Sequence, residues 1–197
     1  MEVTNILMAG VGGQGIILAS EVMARTAADQ GLDVKKSDVH GMAQRGGAVT
    51  SHVRFGDKVY SPLIPDGRAD VLMASEIMEA LRWLPFLKQG GRLAVSSQRI
   101  PPPAIARGEQ SYPQGIEEDL KKRDPRLIIL DTLEIASQVG NSKTATVVLL
   151  GGMSVLLPFP EEAWLERLKK EAPQKVVDVN LEAFKAGRAG ASRKSGT

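Results

Sequence analysis

The chain has no cysteine and only two histidines, His40 and His52. Without a thiol there is no disulfide, no thiolate nucleophile and no cysteine-ligated iron–sulfur cluster, and two histidines offer little from which to build a zinc site. Any redox chemistry must therefore be held elsewhere. Serines occur at 37, 51, 61, 75, 96 and 97, but no GxSxG elbow surrounds any of them, so a hydrolase reading finds no support. No apolar run approaches the length of a bilayer span. The opening MEVTNILMAGVGGQG has no basic stretch ahead of its short apolar run and passes straight into a glycine turn, unlike a signal peptide, so the expected location is the cytoplasm. The 25 basic and 23 acidic residues are interspersed, giving a net charge of +2 and no broad basic face of the kind nucleic acid requires.

What remains is the composition of an ordinary globular protein: 197 residues, 43% hydrophobic and 24% charged. A core of this size buries roughly 70% of the surface that the unfolded chain exposes, so no metal or disulfide staple is needed. One domain over 1–186 is expected. The last stretch, 187–197, reads GRAGASRKSGT; its small residues and three positive charges suggest a flexible basic tail.

Residues 5–9 form a short apolar run that enters a glycine turn, and IILASEVMARTAADQ follows with helical spacing up to Gly31 as a stop. A second strand is expected over 32–39. Residues 48–55 alternate as a half-buried strand and Gly56-Asp57 turns into 58–61, which suggests a hairpin. ADVLMAS reads as a buried strand leading to the helix EIMEALRWLPFLK, with Pro85 near its end, and Gly90-Gly91 precedes the strand RLAVSS. Residues 100–103, with three consecutive prolines, must be an extended loop or a sheet edge. A short helix at 117–122, a last strand at 127–131 and a helical remainder broken at Pro158-Phe159-Pro160 complete the pattern. Strands alternating with helices imply a three-layer α/β/α sandwich, Rossmann-like, with a mostly parallel sheet and an antiparallel hairpin.

Two constellations carry chemistry. Gly10, Gly12 and Gly15 satisfy GxGxxG between a strand and a helix, where free backbone N–H groups favour a phosphate or another anion. Gly13 lies in the same turn, and Gln14 offers both donor and acceptor to a ligand or a neighbouring subunit. A dinucleotide fold would add an acid at the end of the second strand, for which Asp33 and Asp38 are available. The glycines also suit a tight turn and close helix–strand packing without a ligand, but the anion-binding loop is the favoured reading.

The second group is Ser37, Asp38, His40, Gly41, Gln44, Arg45, Gly46 and Gly47, expected on a loop at the same sheet edge, where ligands of open α/β sheets bind. Arg45 presents a planar fork to carboxylate or phosphate, and Gly46 and Gly47 let the backbone approach closely. His40 could serve as acid, base, donor or plain loop residue, and no triad is visible. The methionines fall mainly on predicted strands and helices as core filler, Met42 excepted.

These segments, GVGGQGI at 10–16 and SDVHGMAQRGGAVTSHVR at 37–54, resemble the paired signature of the gamma-type domain of 2-oxoacid:ferredoxin oxidoreductases. The similarity runs from about residue 6 to about 168 and includes ADVLMASEIMEALR, GGRLAVS and LLGGMSVLLPFPEEAWLERL. The late segment GNSKTATVVLLGGMSVLLPFPEEAW most resembles the indolepyruvate branch, in which this domain is a separate beta subunit beside a large alpha subunit. The resemblance implies that thiamine diphosphate, Mg2+ and iron–sulfur clusters sit in the alpha subunit and none in this chain, with coenzyme A as cosubstrate and ferredoxin as electron acceptor. The implied reaction is oxidative decarboxylation of an aryl 2-oxoacid to an acyl-CoA and carbon dioxide. One departure is Thr146, which stands where family members often carry asparagine; a hydroxyl replaces part of an amide's hydrogen bonding but not its two-sided geometry.

Two other readings fit the same residues: a free-standing NAD- or flavin-binding oxidoreductase with Asp33 or Asp38 on the ribose, and a structural partner whose glycine loops only pack. On the subunit reading the Gly12–Gly15 amides and Arg45 contact an anion, while Gln44 and His40 orient it. Arg45→Ala in the assembled enzyme should then raise KM for coenzyme A or for the oxoacid without dissociating the subunits. Steady-state kinetics showing both constants unchanged would remove Arg45 from the site.

Overall fold

A computed structural model of the protein describes residues 2–40 and 47–195. In chain order these form β1 (Thr4–Val11), α1 (Ile16–Asp29), β2 (Asp33–His40), β3 (Ala48–Gly56), β4 (Ala69–Ala74), α2 (Ile77–Trp83), β5 (Leu87–Ser96), α3 (Pro103–Ala106), α4 (Ile116–Arg123), β6 (Ile128–Leu130), α5 (Thr132–Gln138), α6 (Ala145–Ser154), α7 (Glu161–Glu171) and α8 (Val177–Ser195). The strands make one sheet of order β2-β3-β1-β4-β5-β6. Pairing is parallel from β1 through β4 and β5 to β6, and antiparallel where β3 lies between β1 and β2.

Why β1 sits centrally follows from its sequence. Successive side chains of a strand point to opposite faces, and over 6–9 of TNILMAGV both sets are apolar and buried. Ile6 and Met8 enter one core with Phe55, Met73, α1, α6, α7 and α8, while Leu7 and Ala9 enter a second with Leu72, Ile77 and Leu120. The result is the three-layer α/β arrangement.

Four expectations change. The antiparallel hairpin is β2–β3 rather than a pairing of 48–55 with 58–61, because the Asp33 carboxylate takes the Val59 N–H at 2.9 Å and folds that segment back over the start of β2. The helix after β4 does not reach Lys88: Pro85 closes it into a single 3-10 turn, Leu84–Phe86, and Leu87 is already extended. Gly90-Gly91 does not precede β5 but lies within it, in a bulge where pairing jumps from Ala69–Leu87 to Val71–Arg92. Gly90, at φ +74°, supplies the backbone conformation that this detour needs.

The fourth change concerns the stretch read as a flexible tail from Gly187. It is helix α8 through Ser195, with Ala191 fully buried and Arg188 bonded to Ser154 Oγ at 2.7 Å and paired with Glu161 at 3.1 Å. The small residues are a packing face rather than a spacer. Helix α6 is apolar on every side and buried along almost its whole length, and α8 crosses it at backbone contact. A Cβ on Gly187 would stand 1.8 Å from the Val148 carbonyl oxygen, and one on Gly151 would stand 2.0 Å from that of Phe184. Ala183, Gly187, Gly190 and Ala191 recur at helical spacing, a signal present in the sequence but outweighed there by composition.

His52, on β3, is 6% exposed, and its Nδ1 accepts the Ile64 N–H at 3.1 Å. Burial holds its pKa below the ordinary value. Among the described residues, no helix is long and apolar enough to cross a membrane.

Two measurements follow. Gly151→Ala should lower stability by about 2 kcal/mol or more, because the helices must separate, whereas Gly190→Ala, whose Cβ would meet nothing nearer than 3.4 Å, should be neutral or mildly stabilising in thermal unfolding. His52 favours its neutral form in the folded chain, so its stabilisation is complete above about pH 6.5 and is lost as pH falls from there toward the depressed folded value. His52→Asn keeps an acceptor for Ile64, and its unfolding midpoint should vary less than the wild-type midpoint between about pH 7.5 and 5.5.

Candidate functional site

The carboxyl edge of the parallel strands is built around the turn that joins β1 to α1. Gly13 at φ +98° and Gly15 at φ +86° adopt left-handed backbone, and open space surrounds both. Gly10 has a different need: a Cβ there would lie 2.8 Å from Ile16 and 2.9 Å from Gln14 Oε1. Gly12 donates its N–H to the Gly47 carbonyl at 2.8 Å, so the residue that leads into β3 meets the glycine turn. Gly10, Val49 and His40 are successive cross-strand partners, which places the end of β2 two strands from the turn.

Gln14 differs from its expected role. The last parallel pair of β1 and β4 is Ala9–Ala74, and beyond it the Val11 N–H is taken by Gln14 Oε1 at 2.7 Å. Gln14 Nε2 donates to the Ser75 carbonyl at 2.9 Å and to Gln98 Oε1 at 3.0 Å. Its main-chain carbonyl accepts from Thr146 Oγ1, whose oxygen also lies 3.2 Å from Ser75 Oγ. The amide is thus committed inside the chain and joins the ends of β1, β4 and β5. Sequence reasoning missed Ser75, Gln98 and the bonding of Thr146, since partners 61 to 132 residues from Gln14 leave no local pattern.

A cleft of about 310 Å³ opens against this network, lined by Gly13, Gln14, Gln98, Leu133, Lys143 and Thr146 among others. Lys143 has no ion pair among the described residues. Across the network, next to Val11 and Ala48, a second hollow of about 340 Å³ is bounded by Glu76, Glu79, Met78 and the proline segment. Glu76 is fully buried, and its carboxylate accepts from Glu79 N at 2.9 Å, Ile100 N at 3.2 Å and the Tyr112 hydroxyl. Burial, together with the carboxylate it faces, drives the Tyr112 hydroxyl pKa well up, so it remains a donor.

Of the other residues singled out, Ser37 lies within β2 opposite His52 rather than on the loop. His40 ends β2, and its side chain lies outside the described residues, as do Gly41, Gln44, Arg45 and Gly46. Asp38 is tied to Ser51 Oγ at 2.6 Å and Lys36 Nζ at 2.8 Å. Asp33 is held at the opposite end of β2 by Lys35 and Val59.

With β3 inserted between β1 and β2, neither acid stands beside the glycine turn, as a dinucleotide ribose would require. Fold and site therefore define an α/β domain with a glycine turn and a polar cleft at one sheet edge, outside the dinucleotide-binding arrangement. The chain belongs to the pyruvate ferredoxin/flavodoxin oxidoreductase family, whose model matches residues 5–190. It is 41% identical over 187 residues to the indolepyruvate oxidoreductase subunit IorB of Archaeoglobus fulgidus, covering 93% of this chain and 92% of that one. To the protein of the same name from Thermococcus kodakarensis it is 38% identical over 195 residues, covering 95% of each. The solved gamma subunit of a keto/oxoacid ferredoxin oxidoreductase from Geobacter sulfurreducens superposes with a TM-score of 0.71 at 26% identity, over 96% of this chain and 99% of that one.

Thr146→Val should leave the Gln14 carbonyl without its hydroxyl donor at a cost of about 1–3 kcal/mol. Denaturant unfolding would read this as a lower midpoint with an unchanged slope.

Proposed function

We propose that the chain is the small subunit of a 2-oxoacid:ferredoxin oxidoreductase that acts on aryl 2-oxoacids such as indolepyruvate. The oxoacid loses carbon dioxide, its acyl carbon is oxidised and joined to the coenzyme A sulfur, and the electrons released pass to ferredoxin. The observation that carries this reading is end-to-end similarity to relatives that are themselves separate subunits, covering 95% of both chains in one case.

The lack of cysteine fits a division of labour in which a large alpha subunit supplies the thiamine diphosphate, Mg2+ and iron–sulfur clusters. Thiamine diphosphate would supply the electron sink for decarboxylation. This chain contributes position. Its carboxyl edge closes on the partner's reaction centre, the glycine turn and the loop bearing His40, Gln44 and Arg45 face the cosubstrates, and water is excluded. Such a complex operates in the cytoplasm.

The test is to co-express the chain with the large subunit under anaerobic conditions and measure indolepyruvate- and coenzyme A-dependent viologen reduction. A heteromer active with aryl oxoacids supports the proposal, and a lone chain that binds NAD or flavin tightly overturns it. A complex active only on pyruvate or 2-oxoglutarate would keep the subunit role and overturn the aryl assignment.

A further inference from the structure

The hydrogen bonds around Gln14 fix the sense of two amides in series. A backbone N–H can only donate, so the Gln14 atom 2.7 Å from Val11 N is the oxygen. The Gln14 NH2 group must then point the other way, and both of its contacts agree: the Ser75 carbonyl can only accept, and the Gln98 atom 3.0 Å away must be an acceptor too. Gln98 is held on the main-chain side as well, its carbonyl accepting from Ile77 N at 3.0 Å and its N–H donating to Ser96 Oγ at 3.1 Å. Its side-chain oxygen is thereby spoken for. Its NH2 group makes no hydrogen bond to the described residues, and Gln98 lines the 310 Å³ cleft that also holds Lys143 and Thr146.

We propose that Gln98 presents this NH2 group to an oxyanion of a cosubstrate, a carboxylate or a phosphate, and that Gln14 is the positioning residue that keeps the amide the right way round. A fixed amide donor lining one cleft with a lysine suits an oxyanion: the cation attracts it and the directional N–H sets its orientation. Were Gln98 turned over, its oxygen would face the same group and repel it. The orientation set at Val11 thus passes through two side chains to the ligand. This inference rests on the subunit reading, which supplies both kinds of oxyanion.

The experiment is steady-state kinetics of the assembled complex. Gln98→Met removes the donor while keeping side-chain length. It should raise KM for one cosubstrate about tenfold or more, the loss expected for one hydrogen bond to a charged group, with kcat little changed. The cosubstrate affected names the source, the oxoacid for a carboxylate and coenzyme A for a phosphate. Gln98→Glu still accepts from Gln14, so it keeps the fold if Gln98→Met does not assemble, and it should raise the same KM further by repulsion. Gln14→Glu still accepts from Val11 but leaves both the Ser75 carbonyl and Gln98 without a donor; Gln98 turns over to donate to the new carboxylate, and the same KM should rise. Combined with Gln98→Met it should add nothing. Unchanged KM values in both Gln98 variants overturn the proposal, as does a fall in kcat alone. Additive effects of Gln14→Glu and Gln98→Met overturn the relay. A wild-type complex with no oxoacid- and coenzyme A-dependent activity would sink the functional reading and this inference with it, whereas an active wild type with unmoved variants sinks only this one.

Discussion

A single backbone donor, the Val11 N–H, organises the carboxyl edge of this protein. Strand β1 outlasts its parallel neighbour β4, so this N–H would be left without a partner in a partly buried position, and an unpaired buried amide costs on the order of 1–3 kcal/mol. Gln14 answers it from within the turn. Once its oxygen is engaged there, its NH2 group has one direction left, and that direction crosses the ends of β4 and β5. The glycines are what let the chain fold back tightly enough for this: Gly13 and Gly15 by their positive φ, Gly10 by leaving room for the Gln14 oxygen itself.

The same network reaches the far side of the core. Thr146 bonds the Gln14 carbonyl from the first turn of α6, the helix buried on all sides and gripped by α8 through Gly151 and Gly187. Close-packed interiors transmit small displacements because there is no slack to absorb them. The seam between α6 and α8 therefore sets where Thr146 stands, and with it one wall of the cleft. Trp164, at the aromatic centre of this layer between Phe159 and Phe184, is fully buried, and its Nε1–H has no hydrogen-bond partner among the described residues.

Local patterns in the sequence carried most of the fold. The glycine turn, the helix ending before Gly31 and the buried run of β4 follow from periodicity and turn chemistry, which act over a few residues. What was hidden depended on distant partners. Strand β3 alternates as a strand should, but nothing local says that it pairs with β1 on one side and β2 on the other, and that pairing sets Asp33 and Asp38 two strands away from β1 and its glycine turn. Gln14 was visible as an unusual residue; that its amide is consumed by Val11, Ser75 and Gln98 was not. The small residues of α8 illustrate an ambiguity of composition, since glycine and alanine suit a loose tail and a tight helix crossing equally well until the partner surface, here Gly151-Gly152, is known.

The burial of α6 also bears on how the chain is made. Every strand of the sheet is complete once Leu130 has left the ribosome, yet the helices that cover much of one face, α6, α7 and α8, lie between Ala145 and Ser195. At synthesis rates of roughly 5–20 residues per second, that face, bearing Met73, Ala94, Ile128 and Leu130, waits for several seconds with only α1 and the short α5 at hand to cover it. The nascent chain is then at its most adhesive, and its dependence on chaperones during translation should be concentrated in that interval.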